Sequence, residues 1–179
     1  MTPQPQPLPV GTTPHAQPCP GARTGFVFIC PGRHEANRGY PCAAGTGANL
    51  NRVLEVLHRR RPAHFPSASR WEYVITNSWD RVEYPGLTGR SVPTEGEVLT
   101  PVNLERLARE IGALERVVAC GAQAQAAVRA LKASGRYRGS VAFGRHLSQR
   151  SVNMIAGGTD TPSRIERWCD DLLAQWPPG

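Results

Sequence analysis

Three side chains in this sequence could take part in one reaction: a carboxylate, a carboxamide and an imidazole. Glu35 is the only carboxylate in a long glycine-rich loop that runs from Cys30 to Gly47. Asn77 follows an apolar run typical of a buried strand, and a carboxamide can both donate and accept hydrogen bonds. His146 lies near the C-terminus, and a neutral imidazole N–H can stabilise a developing anion. The fold must bring the three together for them to act on one substrate.

The long loop after the first apolar run differs from two familiar phosphate-binding motifs. It contains neither the Gly-Lys-Ser/Thr of a Walker loop nor a G-x-G-x-x-G fingerprint. An irregular connection is one interpretation of such a segment. Loops of this length inside compact domains are usually functional, however, so we expect this loop to form part of a site.

The elements that must position these residues alternate between strands and helices. Apolar runs predict four strands, at residues 26–29, 71–76, 116–120 and 140–143. Apolar residues at helical spacing predict helices around residues 50–61, 104–111, 122–133 and 161–176. The pattern predicts an α/β fold, a three-layer α/β/α sandwich around a short, mainly parallel four-stranded sheet. In such sheets the site lies at the carboxyl ends of the strands, where all three side chains are expected.

Composition divides the chain into a tail and one domain. Residues 1–22 hold seven prolines and almost no bulky apolar side chain, which predicts a flexible tail. Residues 23–179 then form a single domain, since a domain usually has ~100–200 residues. With no run of ~18 apolar residues and no secretory signal, we expect a cytoplasmic monomer that does not enter a membrane.

The charge of the chain favours a polyanionic partner such as DNA or RNA. The sequence has 21 basic and 14 acidic residues, a net charge of +7, and 20 of the 21 basic residues are arginine. Arginine matches phosphate geometry with two parallel hydrogen bonds. A high-GC genome that replaces lysine by arginine would give the same composition without such a partner.

The five cysteines do not form a metal-binding pattern. None is part of a C-x-x-C pair, and no histidine follows at finger-like spacing. We therefore expect buried thiols, and no metal or other cofactor.

Several short motifs occur in a recognisable order along the chain. The long loop contains Pro31-Gly32-x-x-Glu35 and Gly39-x-Pro41, together with His34-x-Ala36-Asn37-Arg38. They are followed by Val74–Asn77, Gly89–Thr94, Val117–Ala124 and His146–Ser151. In this order and spacing, over about residues 24–176, they resemble the motifs of the uracil-DNA glycosylase superfamily.

The resemblance implies an enzyme that hydrolyses the bond between a flipped-out base and its sugar in DNA. Such an enzyme needs a donor beside the departing base and a negative or water-orienting group beneath the sugar. The resemblance assigns the donor role, toward the pyrimidine O2, to His146. It assigns the reading of the Watson–Crick edge to Asn77. A structural histidine and a loop-capping asparagine are the alternative interpretations.

The water-activating residue is where the resemblance fails. Ile29, Cys30 and Gly45 stand where branches of the family carry Glu, Asp or Asn, and none of them can act as a base. We assign this role, or the stabilisation of the sugar cation, to Glu35. The nearby Asn37 is the alternative for orienting the water, and a solvated loop carboxylate is the alternative role for Glu35.

The residues expected around the base favour an unusual substrate. The resemblance places Cys30, Pro31 and Cys42 against the base, and Cys42 stands where the family stacks an aromatic ring. Replacing that ring leaves room on the order of 100 Å³, and the small residues Ala43–Gly45 would add more. We therefore expect a bulky modified pyrimidine. In its compact size the chain also resembles an antiviral branch of the superfamily that removes glucosylated hydroxymethylcytosine, and this resemblance implies that base of phage DNA as the substrate and antiviral defence as the role.

Two alternatives to this substrate remain open. If another aromatic such as Tyr40 or Trp79 supplies the stack, the chain is a uracil-DNA glycosylase of base excision repair. Because the water-activating residue is missing, it could also be an inactive module that binds modified DNA. A base-release assay separates the three interpretations.

The remaining expectations concern DNA and the outcome of the reaction. In the family, the loop after His146 enters the minor groove, which assigns DNA contacts to Ser148, Gln149 and Arg150. Arg33, Arg38 and Arg90 are further candidates for phosphate contacts. The sole lysine is Lys132, on a predicted surface helix, so we expect no Schiff base and an abasic site as product. Iron–sulfur members need four cysteines, of which the N-terminal pair is here reduced to Cys19, so we expect no cluster.

Overall fold

The computed structural model describes residues 7–178, which form four β-strands and eight α-helices. The strands are β1 (Thr24–Phe28), β2 (Val74–Asn77), β3 (Arg116–Cys120) and β4 (Ser140–Gly144). The helices are α1 (Arg33–Arg38), α2 (Gly45–Arg60), α3 (Pro85–Thr88), α4 (Glu95–Val98), α5 (Pro101–Ile111), α6 (Ala122–Ala133), α7 (Gln149–Asn153) and α8 (Thr161–Leu173).

The four strands form one sheet in the order β2-β1-β3-β4, and every neighbouring pair is parallel. Every residue of the central strand β1 is buried, as expected for a parallel sheet covered on both faces. Such a sheet needs helical crossovers, and the alternation of strands and helices in the sequence supplies them. The predicted fold class, a small α/β sandwich, is confirmed.

Alternate residues of β1 face two separate cores. Phe26 and Phe28 pack in one cluster with apolar residues of α2 and α8, among them Leu54. Val27 packs on the opposite face in a cluster with residues of α5 and α6, among them Leu107. The sheet therefore has one helical layer on each face, and its carboxyl edge is left to the loops.

The structure differs from the predicted elements in its short segments. The second strand begins at Val74, because Arg70–Glu72 forms a 3-10 turn in which the Ser69 side chain accepts a hydrogen bond from Trp71 N. Helices α1, α3, α4 and α7 lie inside segments expected to be loops. With four to six residues each, they are too short to show apolar periodicity.

The prediction of a flexible tail over residues 1–22 is wrong for the segment around Gln17. Gln17 is fully buried and pairs with Ile75 in two backbone hydrogen bonds of 2.7 and 3.1 Å. Its side-chain Nε2 also donates to the carbonyls of Arg70 and Tyr73, at 3.0 Å each. The segment covers the edge strand β2, whose backbone would otherwise be unpaired. Residues 1–6 of the predicted tail lie outside the described residues.

A helix can cross a membrane only if it is both long and apolar enough. Over residues 7–178, none of the helices has the length and apolar character needed to cross a bilayer.

Gly47 allows α2 to approach the loop that precedes it. A Cβ at this position would overlap the carbonyl of Cys42 and lie 2.6 Å from Arg70 Nη1, which itself donates to that carbonyl. We expect Gly47→Ala to lower the free energy of unfolding by about 1–3 kcal/mol, measured by urea denaturation, because backbone and a buried guanidinium must move.

Gly45→Ala is the matched control for this substitution. Gly45 lies in the same first turn of α2, and a Cβ there would meet no atom within 4 Å. Its substitution should be neutral or slightly stabilising, since alanine is the better helix former. Equal losses of stability in the two variants would contradict the close approach at Gly47.

Candidate active site

A cavity of about 170 Å³ lies at the carboxyl edge of the sheet. It is lined by Phe28, Cys30, Gly32, Glu35, Cys42, Thr46, Asn77 and His146. Phe28 and Asn77 are the last residues of β1 and β2, and His146 follows the end of β4 by two residues. The parallel sheet therefore brings together the carboxylate, the carboxamide and the imidazole that the sequence separates.

The loop between β4 and α7 fixes the state of the His146 ring. Ser148 N donates to His146 Nδ1 at 3.0 Å, and a backbone N–H can only donate, so Nδ1 carries no proton. The neutral ring then holds its proton on Nε2, which makes no hydrogen bond within the described residues. Burial lowers the pKa of His146, opposed by the nearby charge of Glu35. His146 is thus a neutral Nε2–H donor at the pocket.

The position of His146 follows from the residues around it. Ser148 is the N-cap of α7: its Oγ accepts from Ser151 N, which leaves its own N–H free for the imidazole. Leu147 is fully buried, and its carbonyl accepts from Asn49 Nδ2 at 2.9 Å. The Phe28 ring meets His146 edge-on, with ring centroids 5.9 Å apart. The imidazole is therefore held by packing as well as by its hydrogen bond.

Glu35 is held by the loop that it closes. Its Oε2 accepts from Gly32 N at 2.9 Å, and its Oε1 accepts from Ala43 N at 3.0 Å. Hydrogen bonds to a charged acceptor are stronger than neutral ones, so the carboxylate ties the two ends of the loop together. Glu35 places a fixed negative charge at the pocket, whereas Asn37 is exposed on α1 and does not line it. Of the two candidates, only Glu35 lines the cavity.

Asn77 is buried at the end of β2 and held from two sides. Its Nδ2 donates to the carbonyl of His15 at 2.9 Å, and Arg106 Nη2 donates to its backbone oxygen at 3.0 Å. Its Oδ1 accepts no hydrogen bond from the part of the chain that the structure describes. The side chain therefore has an acceptor to offer to a ligand in the cavity.

The predicted base contacts are only partly found at the cavity. Cys30 and Cys42 line it, and burial raises the pKa of each thiol to about 12, so neither is a thiolate nucleophile at neutral pH. Pro31 is buried but does not line the cavity; its carbonyl accepts from Glu83 N at 2.9 Å. Thr46 lines it and was missed, because no spacing distinguishes this threonine between two glycines.

The expected widening of the pocket is not found. Ala43 and Ala44 line an adjoining open groove of about 570 Å³, which shares Cys42 with the cavity, and Gly45 lines neither space. An apolar cavity of about 150 Å³ holds one benzene molecule, so the 170 Å³ cavity has room for a single six-membered ring.

The aromatic side chain at the cavity is Phe28, not either of the expected candidates. Tyr40 packs against Trp71, with ring centroids 5.6 Å apart. Trp79 donates through Nε1 to Glu83 at 3.1 Å. The sequence predicts Phe28 only as part of a buried strand, since its apolar run does not show that the ring reaches a site.

The three residues assigned to DNA contacts have different environments. Ser148 caps α7, and the Gln149 amide bonds to Asn49, Asn153 and Thr161. Arg150 is exposed on α7 and has no carboxylate within 4 Å among residues 7–178. Only Arg150 therefore has a charged group free for a phosphate.

Further arginines near the carboxyl edge are also free of carboxylates. Within the described chain, this holds for the exposed Arg33, Arg38, Arg81 and Arg145. Arg90 differs, because Glu83 and Glu97 engage its guanidinium in four hydrogen bonds. Its expected phosphate contact is therefore not supported, while the other four arginines have no carboxylate partner within the described residues.

Comparisons with known proteins leave the family open. The sequence matches no model of a known protein family, and it matches no curated protein. The resemblance to the uracil-DNA glycosylase superfamily accordingly stays a prediction. Among residues 7–178, no group of three or more His, Cys, Asp or Glu side chains could hold a metal ion.

The state of His146 can be tested by NMR titration of its ring nitrogens. We expect an unprotonated Nδ1, a protonated Nε2 and a pKa below the usual ~6.5, because burial disfavours the imidazolium. Glu35→Gln should lower the pKa further, since it removes the negative charge that favours the protonated ring. A proton on Nδ1 at neutral pH, or a pKa above the usual value, would contradict this description.

Proposed function

We propose that this protein is a monofunctional DNA glycosylase that hydrolyses the N-glycosidic bond of a pyrimidine nucleotide rotated out of the duplex. The observation that carries the proposal is the shared pocket, in which the neutral donor His146 lies with Asn77 and Glu35. A DNA base enzyme must take its target out of the stack and hold it in such a pocket. The cavity fits one pyrimidine ring.

The reaction needs charge to separate between base and sugar. As the C1′–N bond breaks, its electron pair passes to the pyrimidine, and positive charge develops on the sugar. His146 Nε2–H donates to O2 of the departing base, and the fixed carboxylate of Glu35 stabilises the sugar cation. The oxygen of a water molecule then bonds to C1′, and its proton passes to solvent or to the released base. The products are a free pyrimidine and an abasic site.

The only lysine lies far from this chemistry. Lys132 is in the last turn of α6, whose first residue follows the carboxyl end of β3, so it lies toward the opposite edge of the sheet. Its Nζ donates to the carbonyl of Gly139 at 2.7 Å. A glycosylase that also cuts the strand uses an amine to form a Schiff base, so this placement favours simple hydrolysis.

The charge distribution supports DNA as the partner. Exposed arginines without a carboxylate partner among the described residues follow the strand ends that carry the cavity residues, and arginine forks fit phosphates. Each phosphate contact releases counterions, so the affinity for DNA should fall steeply with salt.

The size of the cavity admits two candidate substrate bases. Only the pyrimidine ring of glucosylated hydroxymethylcytosine fits inside, so its sugar would extend out of the cavity. Removal of this base from phage DNA would be an antiviral defence. The volume also favours a second candidate, uracil, which needs no space beyond the cavity; the function would then be base excision repair.

Base release from defined duplexes tests the proposal. Duplexes that carry uracil, hydroxymethylcytosine or its glucosylated form are incubated with the protein and cleaved at abasic sites with alkali. Cleavage of the glucosylated duplex alone supports the first substrate, and cleavage of the uracil duplex alone supports the second. Binding without an abasic site in any duplex would overturn the proposal in favour of an inactive modified-DNA-binding module.

His146→Ala should lower the single-turnover rate of base release by about 10²–10³-fold, because it removes the donor to the departing base. DNA affinity, measured by fluorescence anisotropy, should change little, since the affinity comes mainly from phosphate contacts. His58→Ala is the control: His58 is a half-buried histidine in the last turn of α2 whose Nδ1 lies 2.8 Å from the Phe65 carbonyl. Unchanged release by His146→Ala would remove this residue from the mechanism.

A further inference from the structure

The N-terminal segment forms a tight turn beside the end of β2. Thr13 and Ala16 exchange backbone hydrogen bonds of 2.8 and 3.3 Å, and Gln17 then pairs with Ile75. This turn places His15 next to Asn77, two residues beyond the paired Ile75. A segment expected to be a flexible tail therefore reaches the wall of the candidate active site.

The contact between His15 and Asn77 has a fixed polarity. The carbonyl of His15 can only accept, so Nδ2 of Asn77 must point toward it and Oδ1 must point away. A rotation of the carboxamide by 180° would bring two oxygens together and lose the 2.9 Å hydrogen bond. The turn thus determines which end of the amide is donor and which is acceptor.

The His15 side chain anchors this turn to the body of the protein. Its Nε2 lies 3.0 Å from Glu110 Oε1, and its Nδ1 lies 3.0 Å from the Thr13 hydroxyl. Glu110 also accepts from the Thr76 hydroxyl and, at 2.8 Å, from Arg106 Nη1. Arg106 also donates to the backbone oxygen of Asn77. Through its bonds to His15, Thr76 and Arg106, the Glu110 carboxylate therefore connects the N-terminal turn with the end of β2.

The charge of Glu110 is maintained at this position. Burial alone raises the pKa of Glu110, but the hydrogen bond from His15, the charge of Arg106 and the hydroxyl of Thr76 together lower it below its usual value. The group is therefore an ionised acceptor at neutral pH, and its hydrogen bonds are charge-assisted.

We propose that His15 is a positioning residue that sets base selectivity by holding the Asn77 carboxamide in one orientation. The inference rests on the proposed function. Uracil presents an N3–H donor and an O4 acceptor, whereas a cytosine presents an N3 acceptor and an N4 donor. A carboxamide that can rotate by 180° can hydrogen-bond to either base edge. A carboxamide that His15 holds in one orientation matches only one of the two.

The selectivity ratio tests this role. Single-turnover release is measured from duplexes that carry uracil or glucosylated hydroxymethylcytosine, for the wild type, His15→Ala, His15→Gln and the control His58→Ala. We expect His15→Ala to bring the ratio of the two rates at least about 10-fold closer to one, since mismatched buried hydrogen bonds discriminate strongly. His15→Gln should restore the ratio, because its amide can donate to Glu110, and His58→Ala should leave it unchanged. An equal loss on both bases in His15→Ala would overturn the proposal.

A second measurement does not depend on base release. The Asn77 side-chain amide protons are followed by NMR hydrogen exchange in the wild type and in His15→Ala. We expect exchange to be at least about 10-fold faster in His15→Ala, as the protecting hydrogen bond weakens. Equal exchange would overturn the role of His15 even in an active enzyme. Faster exchange in a chain that releases no base would instead count against the proposed function alone.

Discussion

The hydrogen bond from Ser148 N to His146 Nδ1 is the interaction on which the proposed chemistry depends. A histidine ring offers one donor and one acceptor, and without this bond either nitrogen could carry the proton. The bond exists because Ser148 caps α7 with its side chain and keeps its own N–H free. Burial of Leu147 next to the imidazole fixes the loop, so the ring keeps its orientation. A preorganised donor needs no rearrangement when charge develops on a departing base.

Other loops at the carboxyl edge are closed by similar contacts between a charged side chain and the backbone. Glu35 binds two amides of its own loop, and Arg70 binds the carbonyls of Pro41 and Cys42 at the other end. Arg106 does the same for the end of β2, where it donates to the Asn77 carbonyl, and Glu110 accepts there from the Thr76 hydroxyl. The segments that line the cavity are thus each tied to the rest of the protein by hydrogen bonds. The energetic reason is that strand ends leave backbone groups unpaired, and buried backbone groups need partners.

The strands of the sheet could be predicted from the sequence, but the contacts at its edge strand β2 and at its carboxyl edge could not. The strands β1, β3 and β4 and the helices α2, α5, α6 and α8 have apolar patterns that depend only on burial, so they could be predicted. The convergence of Glu35, Asn77 and His146 followed from the rule that parallel strands end at one edge. The covering of β2 by Gln17, the position of Thr46 and the volume of the cavity depend on side-chain contacts between distant segments. The segment before Gln17 is rich in proline and small residues, and this composition predicts disorder. Composition carries no information about the unpaired edge of β2, which holds the segment in place.

The central claim is that the pocket stabilises charge separation between a base and its sugar. The most direct measurement is the affinity for a duplex that carries a cationic pyrrolidine ring in place of one sugar, with free pyrimidine present. The comparison duplex carries a neutral tetrahydrofuran ring at the same position. The account predicts binding to the cationic ring that is tighter by at least about 100-fold, as expected for a mimic of the transition state. Equal affinity for the two duplexes would contradict it.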